Sequence, residues 1–117
     1  MNVNPWLVAA FIAAALIITY KILGGGKAPM SAVSDKIKAG AQIVDVRSVE
    51  EFRDGYYAGA VNIPVQELPR RMGELQKDKA VVLYCASGAR SGVAARMLKS
   101  SGFKDVINAG GLTDMPR

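Results

Sequence analysis

No histidine occurs in this chain, and cysteine occurs once, at Cys85. Histidine is the commonest metal ligand and the usual proton carrier near neutral pH, so its absence removes most zinc sites and any imidazole base. A single cysteine excludes an intramolecular disulfide, and a free thiol suits a reducing compartment. The carboxylates are scattered, and no internal repeat is visible. Once an apolar N-terminal stretch is set aside, about 90 residues remain, enough for one small domain and no second core.

The formal net charge is +5, yet Lys and Arg form no run longer than Arg70-Arg71 and no aromatics are interleaved with them. Nucleic-acid binding is therefore not expected, and attraction to anionic lipid heads is the better use of the charge.

What the chain does have is an apolar N-terminus. In "WLVAAFIAAALIITYKIL", Trp6 to Leu23, thirteen apolar residues run without a break. Its length of roughly 27 Å matches a bilayer's hydrocarbon, and Trp6 and Tyr20 fall where interfacial aromatics belong. No Lys or Arg precedes it and no small-residue cleavage pattern follows, so residues 1–23 read as an uncleaved transmembrane helix rather than a signal peptide. Lys21, Lys27, Lys36 and Lys38 all follow, which places the C-terminal domain in the cytoplasm. Residues 24–29, "GGGKAP", read as a linker, and residues 30–117 as the domain.

Within the domain, Val33 and Ile37 with a stop at Gly40 predict a short helix. "QIVDV", Gln42 to Val46, predicts a buried strand, and Ser48 caps a helix with Glu50 and Glu51 in its first turn. "GAVNIP", Gly59 to Pro64, reads as a brief strand, and Val65 to Leu75 as a turn and helix interrupted by Pro69 and Gly73. "AVVLYC", Ala80 to Cys85, is a strand, followed by a helix with an apolar stripe of Val93, Ala94, Met97 and Leu98 that closes at Gly102. "DVIN", Asp105 to Asn108, is the last strand and "GGLTDMPR" a tail. Alternating strands and helices predict a small parallel α/β sheet with its site beyond the carboxyl ends of the strands, where Cys85 lies.

Taken alone, Cys85 reads as a small core residue. Its setting changes that reading. The loop from Ala86 through Ser87, Gly88 and Ala89 to Arg90 joins a buried strand to a helix, so free backbone N–H groups and the positive helix end face one space. A thiolate there is stabilised without a histidine base, with Arg90 for charge balance. Gly88 permits a left-handed turn, and Ser87 and Ser91 add hydroxyls.

"CASGARS", Cys85 to Ser91, resembles the active-site loop of the rhodanese-like sulfurtransferases. "IVDVRSVEEFRDGYYAGAVNIP", Ile43 to Pro64, resembles that family's first signature, and "AGG", Ala109 to Gly111, its final loop. The resemblance implies a doubly wound parallel sheet with helices on both faces, preceded here by the transmembrane helix. It implies a sulfane sulfur taken from thiosulfate or a persulfide onto Cys85 and passed to cyanide or a thiol, with no metal or organic cofactor. By position, Cys85 carries the persulfide, the amides of Ala86, Ser87, Gly88, Ala89 and Arg90 cradle the terminal sulfur beside Ser91, and Arg90 balances charge. Asp45 is structural, and Arg47 is either its ion-pair partner or a group on the substrate rim. Tyr56 stands where many members have histidine. Ala86 stands where many thiosulfate users have a basic residue, which favours a protein or low-molecular-weight persulfide as donor. A membrane enzyme, a transporter or a sulfur-carrier protein would be a suitable partner.

Two rivals share the fold. A cysteine-dependent phosphatase places five residues between cysteine and arginine; here four intervene, shortening the loop by roughly 3.5 Å and favouring one sulfur atom over a phosphoryl group. A membrane-tethered binding module without turnover would not require an intact Cys85 and Arg90.

Overall fold

Every residue of "VVLYC" is buried, the mark of a strand covered on both faces. In this computed structural model, which describes residues 3–19 and 25–117, that strand is β3 (Val81–Cys85). It lies between β1 (Gln42–Asp45) and β4 (Val106–Gly111), with the two-residue β2 (Val61–Asn62) beyond β1, giving the order β2-β1-β3-β4. All pairings are parallel.

Strand periodicity divides the core in two. Val44, Val46, Val81, Leu83 and Cys85 face one side, where Leu68, Ala94, Ala95, Leu98 and Phe103 cover them. Ile43, Val82, Tyr84 and Ala109 face the other, against Val33 and Met115. The covering helices are α2 (Met30–Lys38), which carries Val33, α4 (Leu68–Arg71) and α5 (Ala89–Ser100). α3 (Val49–Arg53) joins β1 to β2. The expected parallel sheet with helices on both faces is what forms.

Several elements differ in extent from the expectation. β2 is shorter than Gly59 to Pro64, although the N–H groups of Ile63 and Val65 continue to bond to Asp45 and Val46. The interval from Val65 to Glu74 forms two 3-10 turns around the single turn of α4, because Pro69 removes a donor. β4 runs on through Gly111, so "AGG", expected as a final loop, lies in the strand, and the tail begins after it. The buried stripe of α5 is Ser91, Gly92, Ala94, Ala95 and Leu98, while Val93 is exposed. The helix is rotated from the expected face because its first turn packs Ser91 and Gly92 toward β4. Ser48 caps α3 as expected, in a reciprocal capping box with Glu51.

At the N-terminus, α1 spans Pro5–Thr19, fifteen residues. It covers the described part of the expected span from Trp6 to Leu23, of which residues 20–23 lie outside the described residues. No helix among the described residues is long and apolar enough to cross a membrane. Residues 25–29, read from sequence as a linker, are joined to the domain. Lys27 pairs with Asn108 in a parallel bridge, and the Ala28 N–H donates to the Asn108 carbonyl at 2.7 Å.

Candidate active site

β3 delivers Cys85 to the carboxyl edge of the sheet, fully buried, and the chain turns at once into α5. The turn depends on Gly88, whose φ of +98° lies in the left-handed region that other residues avoid. That conformation aims the Gly88 N–H at the Cys85 Sγ, which accepts it at 2.9 Å. The Ser91 hydroxyl lies 3.3 Å from the same sulfur.

Burial alone would push the Cys85 thiol up, since a thiolate loses its water. Hydrogen bonds from the Ser91 hydroxyl and from the N–H groups of Ser91, Ser87 and Gly88 outweigh burial, and the thiol lies below its ordinary value. Of the amides expected to cradle a sulfur, those of Ser87 and Gly88 act on Sγ, joined by that of Ser91. Ala86, Ser87 and Ala89 are exposed and form the outer lip.

The opposite wall is the end of β4. Gly111 is the register partner of Cys85, and a Cβ there would stand 2.3 Å from the Ala86 carbonyl oxygen. Only glycine lets the strand approach the loop this closely. The Gly111 N–H is held by Asp114, which pairs with Lys27 at 2.9 Å.

Arg90 stands beside the cysteine and interacts with it, though its stronger partner is Glu51. Its guanidinium grips the Glu51 carboxylate through two bonds, 2.7 and 3.0 Å long. The Arg90 bonds, followed by the Ser48 N–H, hold the Glu51 carboxyl down at about 2. From sequence, Glu51 is a first-turn carboxylate favoured by the helix dipole; its capping bonds to Ser48 and its ion pair with Arg90, 39 residues away, appear only in the fold.

Arg47 is not brought to this site. It shares the sheet face of Tyr84, across from Cys85, where its guanidinium bonds both Asp45 oxygens and the Gly55 carbonyl and lies over the Tyr84 ring. With 7% exposure it is a buried ion-pair partner and not a rim group. Tyr56 stacks on Phe52 with ring centroids 4.3 Å apart, well out on the surface. Asn108, also missed, bonds to Ser91 and to the Gly88 carbonyl. A polar residue at the end of a buried strand was its signal.

Residues 30–115 match the rhodanese-like domain family. The chain belongs to that family. It is 44% identical over 71 residues to an uncharacterized protein, YqhL, of Bacillus subtilis (strain 168), covering 61% of this chain and 56% of that one. This rhodanese-like chain thus spans little more than half of YqhL. It is 39% identical over 74 residues to thiosulfate sulfurtransferase PspE of Escherichia coli (strain K12), covering 62% of this chain and 71% of that protein. Among solved structures, a rhodanese with anions from E. coli superposes with a TM-score of 0.62 at 37% identity, covering 66% of this chain and 95% of that one.

Proposed function

We propose that this rhodanese-like chain is a sulfurtransferase that carries a sulfane sulfur as a persulfide on Cys85. The observation that carries the reading is the Gly88 N–H on Sγ at 2.9 Å, in a loop that leaves four residues between Cys85 and Arg90. With thiosulfate as donor, the Cys85 thiolate attacks the outer sulfur, the S–S bond breaks, and sulfite leaves with the bonding pair. The persulfide anion then sits against the loop amides. A thiolate or cyanide attacks the outer sulfur, takes it as a persulfide or thiocyanate, and returns Cys85 as thiolate. In the second step negative charge returns to Sγ, toward donors already pointed at it, which lowers the barrier to release of the sulfur.

The exposed Ala86 and the neutralised Arg90 leave little positive charge at the mouth, which supports a persulfide rather than dianionic thiosulfate as the preferred donor. Mass spectrometry after incubation with glutathione persulfide is the test. A gain of one sulfur, removed by cyanide and absent in Cys85→Ser, is expected. An unmodified cysteine with every donor would leave the chain a binding module, and release of phosphate from an aryl phosphate would make it a phosphatase.

We propose further that α1 anchors this chain to a membrane. Every side chain from Val3 to Ile17 is exposed, Trp6 and Phe11 at 81% and 76%, and α1 presents no polar face to water. That supports burial of α1 in a bilayer, with the domain on the cytoplasmic side. The full-length protein should stay with membranes through alkaline carbonate washing. Release into the wash would remove the anchor, and labelling of Cys85 in intact cells by an impermeant thiol reagent would reverse the topology.

A further inference from the structure

The Asn108 carboxamide, 3% exposed, makes four hydrogen bonds. Its Nδ2 donates to the carbonyls of Gly25 at 2.7 Å and Gly88 at 3.0 Å. Its Oδ1 accepts from the Ser91 hydroxyl at 2.7 Å and from the Gly110 N–H at 2.9 Å. Both amide hydrogens and both lone pairs are used. The orientation is therefore fixed: a flipped amide would set N–H against the Gly110 N–H and oxygen against two carbonyls. The bond to Gly110 also serves the bulge in β4, where the register with β3 slips between Leu83 and Tyr84.

Ser91 has one hydroxyl proton and three acceptors within reach: Asn108 Oδ1 at 2.7 Å, Cys85 Sγ at 3.3 Å and the Gly110 carbonyl at 3.5 Å. The shortest contact is to an oxygen that can only accept, so the resting proton points to Asn108. The Ser91 oxygen then remains free to accept from the Cys85 S–H. When Cys85 loses its proton the hydroxyl has to turn toward the sulfur, leaving Oδ1 with the Gly110 N–H alone.

We infer that Asn108 is a positioning residue for the nucleophile: by competing for the Ser91 hydroxyl it sets how readily Cys85 becomes a thiolate. Its grip is anchored at three places, the loop at Gly88, the bulge at Gly110 and the segment entering the domain at Gly25. The inference rests on the reading of Cys85 as the nucleophile. Other charges near the sulfur are Arg90 with its partner Glu51 from α3, and the Asp114–Lys27 pair beyond the end of β4. Asp45, Arg47 and Tyr84 lie across the sheet. None of them changes when Asn108 is replaced.

The test is the pH dependence of Cys85 alkylation by iodoacetamide in the 117-residue chain, where a single cysteine makes the reacting thiol unambiguous. Asn108→Ala removes the competing acceptor and should lower the midpoint by roughly half a pH unit, about a threefold rise in thiolate below it. Asn108→Asp keeps an acceptor oxygen, adds negative charge and should raise the midpoint. A merely structural role would move both variants the same way. In a Ser91→Ala background the Asn108→Ala shift should vanish; persistence there would overturn the inference. Should Asn108→Ala not fold, Asn108→Asp is compared in the wild-type and Ser91→Ala backgrounds, and an equal rise in both overturns the inference. The titration needs no sulfur donor, so failure of sulfur uptake with these midpoints moving as stated would count against the proposed function only.

Discussion

Glu51 of α3 and Arg90 of α5 meet through a two-pronged ion pair across the mouth of the Cys85 loop. The same carboxylate closes the capping box at Ser48, so one side chain starts a helix and neutralises the cation that the loop motif supplies. The mouth is left nearly neutral, and the donor's charge becomes a selectable property.

Restoring positive charge should change donor preference. Glu51→Gln keeps the shape of the cap and leaves the Arg90 charge uncompensated. Ala86→Lys adds a cation on the exposed lip. Steady-state assays should show the KM for thiosulfate falling several-fold in either variant, with smaller changes for glutathione persulfide. Equal changes for both donors would mean that charge at the mouth does not select among them.

Acid stability should carry the signature of Glu51. Its carboxyl is held at about 2 against an ordinary 4.5, so its contribution is complete above the unfolded value and is lost as pH falls toward about 2. Asp114, held down by the Gly111 N–H and then Lys27, and Glu74, held down by Arg71, also lose stabilisation on acidification. The difference between wild type and Glu51→Gln isolates Glu51. Melting temperatures of the two should converge below pH 4.5, by a small amount because solvent screens the half-exposed pair.

Gly111→Ala should displace the Ala86 carbonyl, since its Cβ has no room at 2.3 Å. A cost of about 1–3 kcal/mol in denaturant unfolding is expected, as for other overpacked sites. Sulfur uptake should fall further than stability does, because the carbonyl that moves adjoins Cys85. Full uptake in a destabilised protein would separate the β4 end from the chemistry.

Arg47→Ala leaves the fully buried Asp45 carboxylate without its cation. Loss of one partner of such a pair costs about 3–5 kcal/mol. At a temperature where the variant stays folded, its KM for thiosulfate should match wild type. A selective rise in that KM would return Arg47 to the substrate rim.

The features legible in the sequence are local: the apolar run of β3, the Ser48 cap, the stop at Gly102 and the strand-to-helix loop at Cys85 all depend on neighbours a few residues apart. What stayed hidden depends on contacts across the fold. Glu51 looked complete as a first-turn carboxylate, and Arg47 carries the same "DVR" pattern whether paired or at a rim. Val93 fitted the helical stripe, but β4 claims Ser91 and Gly92 and turns it outward. Asn108 acquires its role only when a bulge places its carboxamide among Gly25, Gly88, Ser91 and Gly110. Residues 25–29 have a linker's composition, and their bonds to β4 involve partners some 80 residues away.

The docking of the chain from Gly25 onward sets a leash. Between Thr19, the last residue of α1, and Gly25 there are six peptide steps, which reach at most about 21 Å in any conformation. On the proposed anchoring of α1 in a bilayer, a persulfide on Cys85 could not diffuse freely. It would be confined to a thin shell over the membrane surface, at high local concentration for acceptors embedded beside it and out of reach of those held further away.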